Sequence, residues 1–255
     1  MRYAGHVREQ VDQGNVGIAT AQNRLSSVNR TMAALRGDQY VKIPSPSKAL
    51  GLQRSGVRSE APQGQDRVRI EQIAQALSEH GQQRVSAIVY LARETGMRLR
   101  EVILADLPRL QREARQLGKI NIQDGTKGGR SGASAPRWIA VTDQVRDALY
   151  RASEASPNGS RNLLTPYESY KVFLRAVVRP ARDILHEHGL KGFHELRAAY
   201  ACERYEQLTG FSAPVNGGRG HREDRVLDRQ ARQQISHELG HNRIDVVSAY
   251  IGGRR

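Results

Sequence analysis

Lys119-Ile120-Asn121-Ile122-Gln123 and Arg137-Trp138-Ile139-Ala140-Val141 decide the fold class of this chain. The first stretch alternates apolar and polar residues, and the second is rich in strand formers, so both read as short β-strands. Between them, Asp124-Gly125-Thr126-Lys127-Gly128-Gly129-Arg130-Ser131-Gly132 is polar and dense in glycine, as a turn requires. The predicted unit is an antiparallel hairpin with a long basic tip. The residues around it have a helical period. Ile70, Ile73 and Leu77, then Val85, Ile88, Val89 and Leu91, supply apolar faces before it, and a helix restarts at Leu99 after a break at Thr95-Gly96. Helical segments return from Asp143 onward, with breaks at 154–161, 189–192 and 209–220. The expected fold is mainly α with a small antiparallel β-sheet, an α+β arrangement. No repeat at solenoid periods is visible.

Upstream, residues 1–36 read as helical with a break at Gly14-Asn15. Ala19, Leu25, Val28, Met32 and Leu35 form an apolar stripe after that break. Ile43-Pro44-Ser45-Pro46-Ser47 marks a turn or extended passage. Residues 53–66 carry almost no apolar side chains and read as a linker. A boundary near residue 64 gives a helical N-terminal domain, 1–63, and a larger domain, 64–255. The first is small and polar, suited to clamping or docking rather than to catalysis.

Composition narrows the function classes. The 255 residues hold 40 Lys+Arg against 26 Asp+Glu, a formal net charge of +14. The sequence pI is about 10.5 and the mean hydropathy −0.62. No apolar run approaches the roughly 18 residues that a membrane span needs. The first residues lack an apolar signal-peptide core, and the single cysteine, Cys202, fits a reducing compartment. A cytoplasmic, nucleoid-associated protein without a membrane partner is expected. The basic excess calls for a polyanion, most simply nucleic acid. Only six of the 40 cations are lysines, a bias that G+C-rich coding would also produce.

Three short stretches carry the candidate chemistry: Thr95-Gly96-Met97-Arg98-Leu99-Arg100-Glu101, His194-Glu195-Leu196-Arg197, and Leu239-Gly240-His241 followed nine residues later by Tyr250. Each alone is a common local pattern. In this order they resemble the catalytic domain of the tyrosine recombinases, the phage-integrase family. That family carries Thr-Gly-x-Arg-x-x-Glu, a hairpin lysine, His-x-Leu-Arg, Leu-Gly-His and a nucleophilic tyrosine. The matching positions here are Arg98, Lys127, His194, Arg197, His241 and Tyr250, over roughly residues 67–253. Residues 1–63 would then correspond to a DNA core-binding domain.

The residue types suit the reaction that the resemblance implies. A tyrosine oxygen can attack a phosphodiester and keep its bond energy in a covalent 3′-phosphotyrosyl link. Two guanidiniums, Arg98 and Arg197, can hold the charge that develops on the phosphoryl oxygens, with His241 as a further hydrogen-bond donor. His194 would be the base or proton shuttle. Lys127 would protonate the leaving 5′-hydroxyl, which an ammonium does better than a guanidinium. Glu101 would orient Arg98. With cations supplied by side chains, neither a metal nor a cofactor is called for. Arg130 and Arg137, beside the hairpin, are candidate DNA contacts. So are Arg219 and Arg222, which lie in an arginine-rich stretch between Gly210 and Ile235 that family members cross in fewer residues. The resemblance also implies a double-stranded DNA partner, a homo-tetramer on two synapsed sites, a possible accessory directionality factor and carriage by a mobile element. Five residues follow Tyr250, too few for the C-terminal helix that many relatives place on a neighbouring protomer.

Two alternatives are weighed. A relative could bind DNA without turning over. Alternatively, His237-Glu238-Leu239-Gly240-His241 reads as His-Glu-x-x-His, two zinc ligands and a base on one helix face. A zinc protease needs a third ligand, and Asp245 is the single carboxylate after His241. In the recombinase reading His237 and Glu238 are a helix-surface pair.

Overall fold

The two β-rich stretches pair as expected. In the computed structural model, which describes residues 2–40, 42–126 and 136–254, β1 (Lys119–Asn121) runs antiparallel to β2 (Trp138–Ala140). Lys119 stands opposite Ala140, Ile120 opposite Ile139 and Asn121 opposite Trp138. Among the described residues this is the whole sheet, and every other regular element is helical. The class is mainly α with a small antiparallel sheet.

The chain divides between Gly56 and Val57 into two compact units. The first holds α1 (Arg2–Asp12), α2 (Ile18–Arg36) and α3 (Pro46–Leu50), with a break between α1 and α2 at the Gly14-Asn15 stretch. Its core is small: Ala4, Val7, Ala21, Leu25 and Leu50. Of the stripe along α2, Leu25 is buried, whereas Met32 is 43% and Leu35 76% exposed. A three-helix unit of this size cannot cover a helix of 19 residues along its full length.

The second unit contains α4 (Arg67–Glu79), α5 (Gln83–Thr95), α6 (Leu99–Ile103), α7 (Leu107–Leu117), the hairpin strands, α8 (Asp143–Ala155), α9 (Tyr170–Phe173) and α10 (Arg182–Glu187). It continues with α11 (Phe193–Thr209), α12 (Gly220–Glu223), α13 (Arg225–Glu238) and α14 (Ser248–Ile251). Helix α5 is central, packed against α4, α8 and α11. It is buried along almost its whole length, Val85 to Ala92, as a helix surrounded by helices must be. Asp66 caps α4 by accepting from the amides of Val68 and Arg69. A second apolar cluster, including Ala198, Tyr205, Ile235, Leu239, Val247 and Ile251, joins α11, α13 and α14.

Residues 57–66, whose composition suggests part of a linker, pack within the second unit. Arg58 N donates to Ser248 O at 2.9 Å, Gly64 lies against Leu196, and Gly64 O accepts from the buried Arg93 side chain. The segment is polar because backbone groups and ion pairs, not apolar side chains, hold it.

Candidate active site

Gly96 ends α5 in the left-handed region, with φ of +62°. A Cβ there would also stand 2.5 Å from the Tyr200 ring, so glycine is required twice over. The turn aims Arg98 outward as the N-cap of α6. Glu101, fully buried, accepts from Arg98 N and Arg98 Nη1, each at 2.7 Å. Its other partner is Arg137 Nη1, at 2.6 Å. Burial opposes the charge on Glu101, but Arg137 and Arg98 more than offset it, so its pKa falls below the ordinary carboxylate value.

Helix α11 brings two residues to the same place. Arg197 is 1% exposed, and its guanidinium donates to the backbone oxygens of Gly96 and Leu239. Its Nε donates to Tyr250 Oη at 3.3 Å, and Nη2 lies 3.2 Å from His241 Nε2. Burial, then the nearby Arg137 charge, lowers its pKa to about 10, which leaves it cationic at neutral pH. His194, exposed in the first turn of α11, sets its ring 5.3 Å from that of Tyr250. Burial of part of the ring and the Arg197 charge lower the His194 pKa.

Helix α13 ends at Glu238, and Gly240, at φ of +63°, turns the chain so that His241 points back to Tyr250. His241 Nε2 is 2.8 Å from Tyr250 Oη. Arg98 Nη2 stands 3.5 Å from the same nitrogen. A guanidinium has no acceptor, so Nε2 presents its lone pair and Nδ1 carries the proton. Desolvation, with Arg197 and Arg98 close by, lowers the His241 pKa to about 4. The imidazole is therefore neutral at pH 7. In this arrangement it stands as an acceptor for the phenol. Tyr250, in α14, is 4% exposed.

Arg98, Glu101, His194, Arg197, His241 and Tyr250 thus come together from four separate stretches. Lys127 and Arg130 lie outside the described residues. Arg137 corrects an expectation. It is 4% exposed, and besides Glu101 it donates to Glu238 O at 2.5 Å, so it cannot reach DNA. The period of two along β2 carries the signal, since Arg137 shares the inward phase of Ile139 while Trp138 and Ala140 face out. Arg219 and Arg222 are exposed ahead of α13. In the same arginine-rich stretch, Arg232 and Asp228 are 1% and 2% exposed and paired at 2.8 Å, so they belong to the core and not to a contacting or solvated face.

Glu238 is also buried rather than on a surface. It accepts from Tyr200 Oη at 2.9 Å and from Arg204 Nε at 3.0 Å. His237 is exposed on the last turn of α13, while His241 lies beyond the Gly240 turn. The two histidines do not share a helix face, and the zinc-protease geometry is absent. Among the described residues no three His, Cys, Asp or Glu side chains are grouped to hold a metal ion.

Residues 56–203 match the family model described as integrase, more than half of the chain. The chain belongs to the tyrosine recombinase/integrase family. Site-specific DNA recombination is the activity that this membership supports. A crystal structure of XerA recombinase is similar at 20% identity and a TM-score of 0.45, covering 98% of this chain and 87% of that one. No curated protein matches. The integrase match stops short of His241 and Tyr250, whose place rests on the geometry above. No helix among the described residues of this integrase is long and apolar enough to cross a membrane.

Proposed function

We propose that the chain cuts and rejoins DNA through a 3′-phosphotyrosyl intermediate at Tyr250, as a site-specific recombinase of a mobile element. One observation carries the reading: Tyr250 Oη sits within hydrogen-bond reach of both Arg197 Nε and His241 Nε2. Tyr250 Oη forms a bond to phosphorus, and the bond from phosphorus to the 5′-oxygen breaks. The phenol proton passes to the neutral imidazole of His241, with His194 beside the ring as a relay. Arg98 and Arg197 hold the charge that builds on the non-bridging oxygens, where fixed guanidiniums contribute most. Glu101 aims Arg98. Lys127 supplies the proton that leaves with the 5′-hydroxyl, an assignment resting on its match to the family's hairpin lysine. The reverse attack by a 5′-hydroxyl rejoins the strand, so no external energy source enters. Residues 1–63 serve as a DNA-holding domain, and two DNA sites are held by a homo-tetramer.

The test works on an unidentified target. A library of nicked duplexes with a randomised core should yield protein–DNA adducts that survive detergent. Tyr250→Phe should yield none, because it removes one oxygen and leaves the ring. A wild-type protein that binds the library yet forms no adduct would make it a DNA-binding relative without turnover.

A further inference from the structure

Arg58 belongs to the stretch whose composition reads as a linker, yet its contacts converge on the two elements that carry the nucleophile and its neighbours. Its amide donates to Ser248 O at 2.9 Å, and Ser248 opens α14 two residues before Tyr250. Its Nη2 donates to Glu195 Oε2 at 2.5 Å, and Glu195 directly follows His194 in the first turn of α11. Its Nε donates to Glu60 O at 2.7 Å, which fixes the side chain against its own strand of backbone. The same Glu195 oxygen accepts from Gln63 N at 3.0 Å. The two side chains are 14% and 15% exposed, more sheltered than a surface ion pair. On either side, Val57 packs near Gly253 and Gly64 against Leu196. Residues 57–64 therefore form a strap from α14 to the N-terminal turn of α11.

The turn of α11 that the strap engages has no side-chain cap, because Gly192 stands at its N-cap. Helix α14 spans only four residues and cannot hold its own orientation. Its position is set by what it touches. Ser248 Oγ receives Arg232 Nη1 at 3.3 Å, and Ser248 O receives Arg58 N. Misplacing a reacting atom by about 1 Å can cost on the order of 100-fold in rate.

We infer that Arg58 is a positioning residue for the cleavage step, holding the Tyr250 helix and the His194 turn at their working separation. It touches no reacting atom. The inference rests on the reading of Tyr250 as nucleophile.

The experiment uses the full chain and a duplex recovered from the adduct library. Single-turnover adduct formation is followed at saturating DNA, with DNA affinity and thermal midpoint measured alongside. Arg58→Ala and Glu195→Gln should each slow adduct formation about tenfold. The double variant should be no slower than the slower single one, because both remove the same bridge. Arg58→Lys should restore part of the rate, because an ammonium can pair with Glu195 but cannot also hold Glu60 O as the guanidinium fork does, and DNA affinity should stay within about twofold in every variant. An unchanged rate in Arg58→Ala overturns the inference. So does a loss of rate that follows weaker, more salt-sensitive DNA binding, which would make Arg58 a phosphate contact. Should Arg58→Ala not fold, Glu195→Gln decides in its place. A wild-type chain without a Tyr250-dependent adduct removes the reading of the reaction and this inference with it. A wild-type adduct together with an unaffected Arg58→Ala removes the inference alone.

Discussion

His241 sits among three arginines, and that placement governs its chemistry. Desolvation and the Arg197 and Arg98 charges lower its pKa to about 4, so it accepts a proton only when something drives one onto it. In the proposed reaction, attack of Tyr250 Oη on phosphorus is what would drive the phenol proton onto His241. The second-order rate of adduct formation reports the free enzyme. It should therefore keep its full value as pH falls through about 6.5, the ordinary histidine value, and decline only as pH approaches about 4. The imidazole must be neutral to act, and its proton affinity in the free protein is low, so the acid limb lies below the ordinary histidine range. A pH profile whose acid limb sits in that ordinary range would remove His241 as the acceptor. At this scale the sequence is most legible. Arg98, His194, Arg197, His241 and Tyr250 can be picked out because each belongs to a short pattern with fixed spacing. The direction of the His241 hydrogen bond is not legible there, since it depends on which donors reach Nε2 from other elements.

Between elements, the buried pair of Arg137 and Glu101 joins β2 to α6, and the Arg137 Nε bond to Glu238 O extends the tie to the end of α13. Those are the elements that present Arg98 and His241. Removing one partner of a buried pair leaves an uncompensated charge, which costs about 3–5 kcal/mol. Glu101 keeps Arg98 as its second cation, so Arg137→Met should lower the unfolding free energy by less than that, about 1–3 kcal/mol in denaturant titration. Adding Glu101→Gln should recover part of the loss, because the carboxylate that has lost one of its two cations is then no longer buried as a charge. A loss below about 1 kcal/mol in Arg137→Met would mean that the pair is solvated and that the tie is not structural. The elements themselves are readable from periodicity and breakers, the hairpin above all. Which polar residues turn inward is not. Arg137, Arg232, Asp228 and Glu238 lie in stretches of high charge, and composition places such stretches in water. Their partners, Glu101, Tyr205 and Tyr200, come from distant stretches, so burial becomes legible only once the elements are packed. Residues 57–64 escape for a related reason, because backbone amides and one carboxylate attach them and neither leaves an apolar signature.

For the whole molecule, the net charge of +14 divides into two populations. One is internal: Arg93, Arg137, Arg197 and Arg232 are each at most 4% exposed and are bound to carboxylates or backbone oxygens. The other lies nearer the surface, and Arg219 and Arg222 belong to it, exposed ahead of α13. Binding through phosphates releases counterions, so affinity should fall steeply as salt rises, with a log–log slope of about −0.9 for each phosphate neutralised. If Arg219 and Arg222 each hold a phosphate, Arg219→Ala and Arg222→Ala should each make that slope shallower by about one. The loss should be equal on every duplex sequence, because a phosphate contact carries no sequence information. Adduct formation at saturating DNA should be unchanged in both, since neither belongs to the cluster around Tyr250. Titrations of both variants across salt concentrations decide the point. A slope that stays at the wild-type value would leave the arginine-rich stretch with its internal role alone, in which Arg232 and Asp228 anchor α13 beneath the tyrosine helix.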